Sequence, residues 1–129
     1  MVSVLSVFVI VQFFSVDLNL LFSFLPKSIT APIAIEISKI TGGIVELTIC
    51  TVVLTGIFGG LFGYKILKLF KIKNSTAIGI SIGSSSHIIG TSKCIEKGNE
   101  VQIAMSSVSI VFVGIISSIL IPLFVFFFG

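Results

Sequence analysis

The segment with the clearest capacity for chemistry is 74–94, which surrounds the chain's only histidine, His87. From Asn74 to Ser92 it has no aspartate, glutamate, lysine or arginine, and it is rich in glycine, serine, threonine and isoleucine. A single ionisable group among small, uncharged residues is typical of the interior of a membrane bundle. There, His87 could carry a proton or contact a substrate. The neighbours that could complete a substrate-binding site are Ser85, Ser86, Gly90 and Thr91.

Two other interpretations of His87 stay open at this point. It could be a packed, neutral imidazole bonded to a serine or a backbone carbonyl, or it could belong to a polar cap. The same ambiguity applies to the hydroxyl groups, because serines in membrane helices often only bond the carbonyls of the preceding turn.

A second candidate site is the segment 26–32, PKSITAP, whose two prolines cannot both occupy the interior of a regular helix. Lys27 could attract a carboxylate, helped by the positive end of the half-helix that follows. Alternatively, it could be an interfacial lysine that extends to lipid phosphate. Ser28, Thr30 and Pro32 complete the predicted substrate-binding set.

Patterns for catalysis and metal binding are weak in this sequence. Residues 79–83, GISIG, match the Gly-x-Ser-x-Gly pattern, but that motif needs a strand-to-helix turn and an acidic residue before the histidine. Cys50 and Cys94 have no metal-ligand spacing and are interpreted as packing residues. We therefore expect a protein that is not an enzyme and that holds no cofactor and no metal.

The composition indicates an integral membrane protein. Hydrophobic residues make up 55% of the chain and charged residues 10%, whereas a soluble domain carries about 25% charged residues. Uncharged stretches cover 1–16, 47–64 and 101–129. A helix needs roughly 17–25 apolar residues to cross a bilayer, which the second and third stretches provide.

We expect an all-α, polytopic membrane helix bundle forming a single domain over 1–129, with two interrupted helices. A strand over 33–40 is rejected, because an open sheet edge has no place in lipid. The expected elements are a leading membrane helix within 1–16, the break at 26–32, a half-length helix over 33–40 ended by Gly42 and Gly43, a full helix over 44–63, a helix over 75–91 broken near 84–90, a polar turn over 92–99 and a last helix over 101–128. Broken segments beside full helices are typical of secondary transporters.

Small residues recur at four-residue spacing and predict close helix packing. On the full helix these pairs are Gly56 with Gly60 and Gly59 with Gly63. On the broken helix, Gly79, Gly83 and His87 are predicted to share one stripe.

The lysines predict the topology. Directly after an apolar run come Lys65, Lys68, Lys71 and Lys73. A cluster in this place is typical of a cytoplasmic loop, here predicted over 64–74. The alternative is a patch for lipid phosphate or nucleic acid. We favour topology and expect no nucleic-acid partner.

Three motifs in a fixed order carry a resemblance to a known family. They are LPKSITAPIA at 25–34, GGI at 42–44 and SHIIGT at 86–91, with the glycine-rich stretch 56–63 between the last two. This order resembles the C-terminal half of the LrgB/CidB family over about residues 22–128. Members usually run to nearly twice this length, so we expect an N-terminally shortened chain. It could be a fragment, a split gene that needs a partner, or a decayed copy.

The resemblance implies a multi-pass protein of the bacterial inner (cytoplasmic) membrane with half of an inverted-repeat, transporter-like fold. The family is described as antiholin-like or as effectors of murein hydrolase, and plastid relatives export glycolate and glycerate. Our leading hypothesis is transport of a small organic anion, such as glycolate, lactate or pyruvate, through a site at the two helix breaks. The alternatives are an antiholin/holin-type regulator of murein hydrolase and cell lysis that acts by oligomerising in the membrane, and a non-functional fragment. The expected partners are membrane lipid, a second copy or a separate N-terminal half, and a small LrgA/CidA-like membrane protein.

Overall fold

The computed structural model describes Val9 and residues 17–97 and 99–128. Within this part of the chain the regular secondary structure is entirely α-helical, which confirms the predicted all-α class. The helices are α1 (Leu18–Phe24), α2 (Ala31–Thr41), α3 (Val45–Leu69), α4 (Ser75–Glu96) and α5 (Glu100–Phe128). The predicted leading helix within 1–16 lies outside the described residues, apart from Val9.

The first predicted break separates α1 from α2. Thr30 occupies the N-cap position of α2 and Pro32 lies in its first turn, where a missing backbone N–H costs no helical hydrogen bond. Gly42 ends α2 in the left-handed conformation, with φ 80°. The hydroxyl of Thr30 makes no capping hydrogen bond.

Helix α3 continues beyond its predicted end. The predicted loop over 64–74 is wrong in its first six residues, since α3 continues to Leu69 and only 70–74 connect it to α4. Lysine, leucine and tyrosine do not interrupt a helix, and Lys65 lies over the Phe62 ring one turn earlier. The loop predicted from charge is therefore mostly the last turns of a helix.

Helix α4 folds back on itself as a hairpin. At His87 the backbone has φ 42° and ψ −138°, far from helical values. A straight helix of this length would separate its ends by about 33 Å, but Asn99 Nδ2 lies 3.3 Å from Ser75 Oγ. A Cβ placed on Gly90 would lie 3.3 Å from the carbonyl oxygen of Ile82, which shows how closely the two arms approach. We call the arms 75–86 and 88–96 the first and second half-helix of the hairpin.

The break predicted near 84–90 thus lies at His87, but the polar turn predicted over 92–99 is wrong in its first five residues, which are helical. The second half-helix continues to Glu96, because its polar side chains support a helix. Ser92 donates a hydrogen bond to the Ile89 carbonyl at 2.7 Å, and Lys93 pairs with Glu96 at 2.8 Å.

The hairpin packs mainly on α3 and α5, and α2 also packs mainly on these two helices. In the described part of the chain, α3 and α5 are the helices that are long and apolar enough to cross a membrane. They are antiparallel, since Tyr64 near the end of α3 donates a 2.6 Å hydrogen bond to Gln102 near the start of α5. A buried apolar cluster around Leu25, Ile37 and Ile121 closes the end of the bundle formed by α1 and α2.

Candidate functional site

His87 lies at the tip of the hairpin, buried against the middle of α3. Its side chain is 4% exposed, and Nε2 lies 3.0 Å from the carbonyl oxygen of Val52. A carbonyl only accepts hydrogen bonds, so we assign the ring proton to Nε2, and a neutral ring then has Nδ1 as its acceptor. A Cβ on Gly56 would lie 2.5 Å from His87 Cε1, so the absence of a side chain at this position admits the ring. The site can hold a neutral imidazole with one proton-accepting nitrogen inside the bundle.

The predicted stripe of Gly79, Gly83 and His87 is wrong. Gly79 and Gly83 face α5, where a Cβ on Gly79 would lie 2.6 Å from the Gln102 carbonyl oxygen and one on Gly83 would overlap the backbone of Ser106. His87 contacts α3 instead. The predicted stripe assumes an uninterrupted helix. The backbone instead reverses at His87 and directs the ring to α3 rather than to α5.

The glycines of α3 line the surface that receives the hairpin. A Cβ on Gly59 would overlap the Ser86 side chain, and one on Gly63 would lie 2.7 Å from Ile82 Cδ1. Gly60 is less crowded, since the nearest atom to its Cβ position is the Ile89 carbonyl oxygen at 3.5 Å. Gly59 thus contacts Ser86 and Gly63 contacts Ile82, so the first half-helix runs antiparallel to α3.

The hydroxyl groups around His87 bond mainly within the hairpin. Ser85 donates to the Ser81 carbonyl at 2.6 Å and lies 3.1 Å from the Ser86 hydroxyl. Thr91 donates to the His87 carbonyl at 3.0 Å. Ser86, Gly90 and Thr91 are buried, whereas Ser85 is exposed. These bonds stabilise the tip, and Ser85 is the hydroxyl of this group that faces outward.

The predicted site residues of the first break lie elsewhere. Lys27, Ser28 and Thr30 are half-buried, and Pro32 is exposed. Because α2 and the hairpin both pack mainly on α3 and α5, the two breaks are joined through α3 rather than by a broad direct contact. Val52 of α3 contacts His87 at the second break, and Thr48, one turn earlier on α3, contacts Ser38 of α2.

Sequence reasoning missed a buried hydroxyl cluster formed by Ser23, Ser38 and Thr48, which joins α1, α2 and α3. Thr48 Oγ1 lies 2.9 Å from Ser38 Oγ and 3.1 Å from the Ser23 carbonyl oxygen. Ser23 Oγ accepts a hydrogen bond from the Ile44 backbone N–H at 2.7 Å, and so satisfies a donor at the start of α3. Thr48, Val52 and Gly56 share one face of α3 and all three are buried.

Replacing Thr48 by valine is expected to lower the free energy of unfolding by about 1–2 kcal/mol, since it leaves the buried Ser38 hydroxyl without this partner. The melting temperature can be followed in detergent with a thiol-reactive dye, because Cys94 is buried and reacts only on unfolding. A Cys50→Ser background removes the exposed cysteine. The control is Thr51→Val, since the Thr51 hydroxyl bonds only within α3. Equal melting temperatures for the two variants would contradict the prediction.

Comparison with known proteins identifies relatives across most of the chain. It is 52% identical over 102 residues to an uncharacterized protein of Haemophilus influenzae, which covers 79% of this chain and 43% of that protein. It is 36% identical over 123 residues to the antiholin-like protein LrgB of Bacillus subtilis, covering 95% of this chain and 53% of the relative. It is 33% identical over 128 residues to the holin-like protein CidB of Staphylococcus aureus strain Mu50, covering 99% and 56%. No solved structure matches the chain.

The chain thus spans about half the length of the curated relatives it matches. A sequence model of the LrgB-like family matches residues 1–127. The match includes the Pro-framed break, the glycines of α3 and the hairpin with His87. With nearly the whole chain matched, this protein belongs to the LrgB-like family.

Proposed function

We propose that this chain is a holin- or antiholin-like protein of a bacterial cytoplasmic membrane, which regulates murein hydrolase activity and cell lysis by associating with other membrane helices. The observation that carries the proposal is the uncovered apolar surface of the two long helices. In the most apolar 18-residue windows, 17% of α3 and 11% of α5 are buried. Relatives with the names antiholin-like and holin-like support the same class.

The polar groups at the hairpin tip also favour a structural role. The imidazole of His87 bonds to Val52, and the hydroxyls of Ser85 and Thr91 bond to backbone carbonyls of the hairpin itself. Groups that are satisfied within the chain stabilise the bundle, whereas the exposed apolar faces stay available to lipid and to partner helices. We therefore assign function to the outer faces of α3 and α5.

In this proposal the chain acts as one domain over 1–129. It assembles with a second copy, with a separate N-terminal half or with a small LrgA/CidA-like protein. The connection at 70–74 faces the cytoplasm in this proposal, because Lys65 and Lys68 directly precede it and Lys71 and Lys73 lie within it. The glycines of α3 do not belong to this assembly surface, since Gly56 and Gly59 face the chain's own hairpin.

Association can be tested with the chain's own cysteines. Cys50 is exposed on α3 and accepts a maleimide dye, whereas Cys94 is buried. Copies labelled with donor and acceptor dyes are mixed in liposomes, and energy transfer is measured as the lipid-to-protein ratio rises. We expect transfer well above random proximity, which unlabelled protein reduces by competition. In a bacterium without its own family members, expression should change the autolysis rate. Random-level transfer together with an unchanged autolysis rate would reject the proposal.

Transport of a small organic anion is the second candidate, and the buried hairpin tip favours it. Gly56 and Val52 lie near the middle of α3, so the tip would lie near the midplane of a bilayer that α3 crosses. Secondary transporters place broken helices at this depth, commonly at the interface of inverted repeats. The chain would supply one repeat, with Lys27, Ser28, Thr30 and Pro32 on one side and Ser85, Ser86, His87, Gly90 and Thr91 on the other.

Flux of labelled glycolate in proteoliposomes separates the two candidates. A transporter predicts flux above protein-free liposomes and a loss of that flux in Lys27→Gln. The matched control is Lys39→Gln, because Lys39 is exposed and paired with Glu36 at 2.8 Å. Flux equal to that of empty liposomes, alone or with an added N-terminal half, would remove the transport candidate.

A further inference from the structure

A lysine-lined cavity opens at the end of the bundle where α3 ends and α4 begins. Its volume is about 440 Å³. Besides lysines, its lining consists of Tyr64 and of apolar side chains. We call it the lysine cavity, because five lysines line it: Lys65, Lys68, Lys71, Lys73 and Lys97.

The charges of the lysine cavity are not compensated by carboxylates. In the described part of the chain, the salt bridges join Lys39 to Glu36 and Lys93 to Glu96, and neither pair lines the cavity. Lys97 Nζ lies 4.4 Å from the centre of the Tyr64 ring, which orients the ammonium group without neutralising it. Five like charges around one space repel each other, and an anion bound among them would relieve this repulsion.

The backbone at Lys71 is a second, independent observation. Its N–H bonds to the Lys68 carbonyl and the N–H of Ile72 bonds to the Leu67 carbonyl, both at 3.0 Å. This pattern ends a helix with one left-handed residue, a position that favours glycine. Here the residue is a lysine, with φ 56°. A cation is thus held at the cavity in a backbone conformation that its side chain disfavours.

The position of the cavity indicates which kind of anion would reach it. The Tyr64–Gln102 hydrogen bond of 2.6 Å marks the level where both long helices reach the same end of the bundle. If α3 and α5 cross the bilayer, as the proposed function requires, this level is the headgroup region. Lysine stems pack along apolar surface there, while their ammonium groups reach phosphate. The apolar part of the lining would contact the glycerol and the first acyl carbons.

We propose that the lysine cavity binds the phosphate of an anionic phospholipid headgroup. The inference rests on the membrane location in the proposed function, but it does not depend on any effect on lysis. A lipid held there would join the end of α3, the connection at 70–74 and the two ends of α4, where Ile78 and Lys97 lie.

The full chain in detergent is given equal amounts of phosphatidylglycerol and phosphatidylcholine, and the retained lipids are counted by native mass spectrometry. We expect preferential retention of phosphatidylglycerol. Lys68→Gln should reduce its affinity about fivefold, the effect of one lysine near an anionic headgroup. Lys39→Gln should leave the affinity unchanged. Lys39 lies in the last turn of α2, near the start of α3, whereas the cavity lies at the end of α3. Lys71→Gly should also weaken lipid binding, while its melting temperature stays equal or rises.

Several outcomes would overturn the proposal. Equal retention of the two lipids would do so, as would an unchanged affinity in Lys68→Gln. Displacement of the lipid by soluble glycerol phosphate at matched concentration would assign the cavity to a free phosphate ester. Stronger retention of a single-stranded RNA than of phosphatidylglycerol would assign it to nucleic acid. A change in autolysis without lipid selectivity would reject this inference and leave the proposed function intact.

Discussion

Replacing Gly83 by alanine is expected to push the hairpin away from α5 and to destabilise the fold strongly. The added methyl group would overlap both the Ser106 carbonyl oxygen and the Ser109 hydroxyl. A backbone carbonyl in a long helix cannot move aside as a flexible side chain can. Overpacking of this kind costs about 3 kcal/mol, which is a large part of the stability of a typical small domain. We expect a low yield of monodisperse protein in detergent and a melting temperature far below that of the parent.

The matched control for Gly83→Ala is Gly60→Ala. Both glycines lie inside helices, but the nearest atom to a Cβ on Gly60 is 3.5 Å away, an ordinary van der Waals contact. Alanine is favoured over glycine in a helix by up to about 1 kcal/mol. The control should therefore melt at the parent temperature or slightly above it, as followed by the reactivity of Cys94. If the two variants melt together, the contact between α4 and α5 is not as described.

The second large effect is expected at His87, where alanine and glycine should differ in an unusual order. His87→Ala removes the packed ring and its hydrogen bond to Val52 but keeps a side chain at a positive φ. We expect a loss of about 3 kcal/mol, in the range of other large-to-alanine changes. His87→Gly also removes the ring, but it relieves the backbone, a relief worth about 1–3 kcal/mol. Glycine should therefore be the less damaging replacement by about 1 kcal/mol, although it costs chain entropy.

Melting of the two His87 variants with the thiol dye gives the comparison directly. In an ordinary helix, glycine would be the worse residue, so the order reports the backbone conformation at the tip. A lower melting temperature for glycine than for alanine would show that residue 87 is helical and that α4 does not reverse there. A melting temperature equal to the parent for both would show that the ring does not pack against α3.

The long helices and the first break could be predicted from local signals. Uncharged stretches at 47–64 and 101–129 predicted α3 and α5, because length and polarity alone decide this class of helix. Pro32 and Gly42 predicted the two ends of α2, since each has a backbone preference that neighbours rarely override. The end of α3 was predicted too early, because the cluster of lysines indicated a loop although lysine is a good helix former.

The hairpin could be predicted only in part. Serine and glycine around His87 indicated a break, but no local signal shows whether the chain continues forward or returns. The return depends on contacts with residues about thirty positions away, at Val52 and Gly56, which receive the ring. The cluster of Ser23, Ser38 and Thr48 was missed for the same reason. Its members are scattered along the chain, and a single buried hydroxyl in an apolar stretch has no distinctive pattern.

The return of α4 to its starting level changes the parity of membrane crossings. A forward-running helix between α3 and α5 would make three passages from Val45 to Phe128 and place these residues on opposite sides. If α3 and α5 cross a bilayer, as we propose, a re-entrant α4 leaves only two passages, and the start of α3 and the end of α5 would emerge into the same compartment. In that arrangement the connection between α3 and α4 and the connection between α4 and α5 would share the other compartment, and the lysines near the two connections would act together to set the orientation.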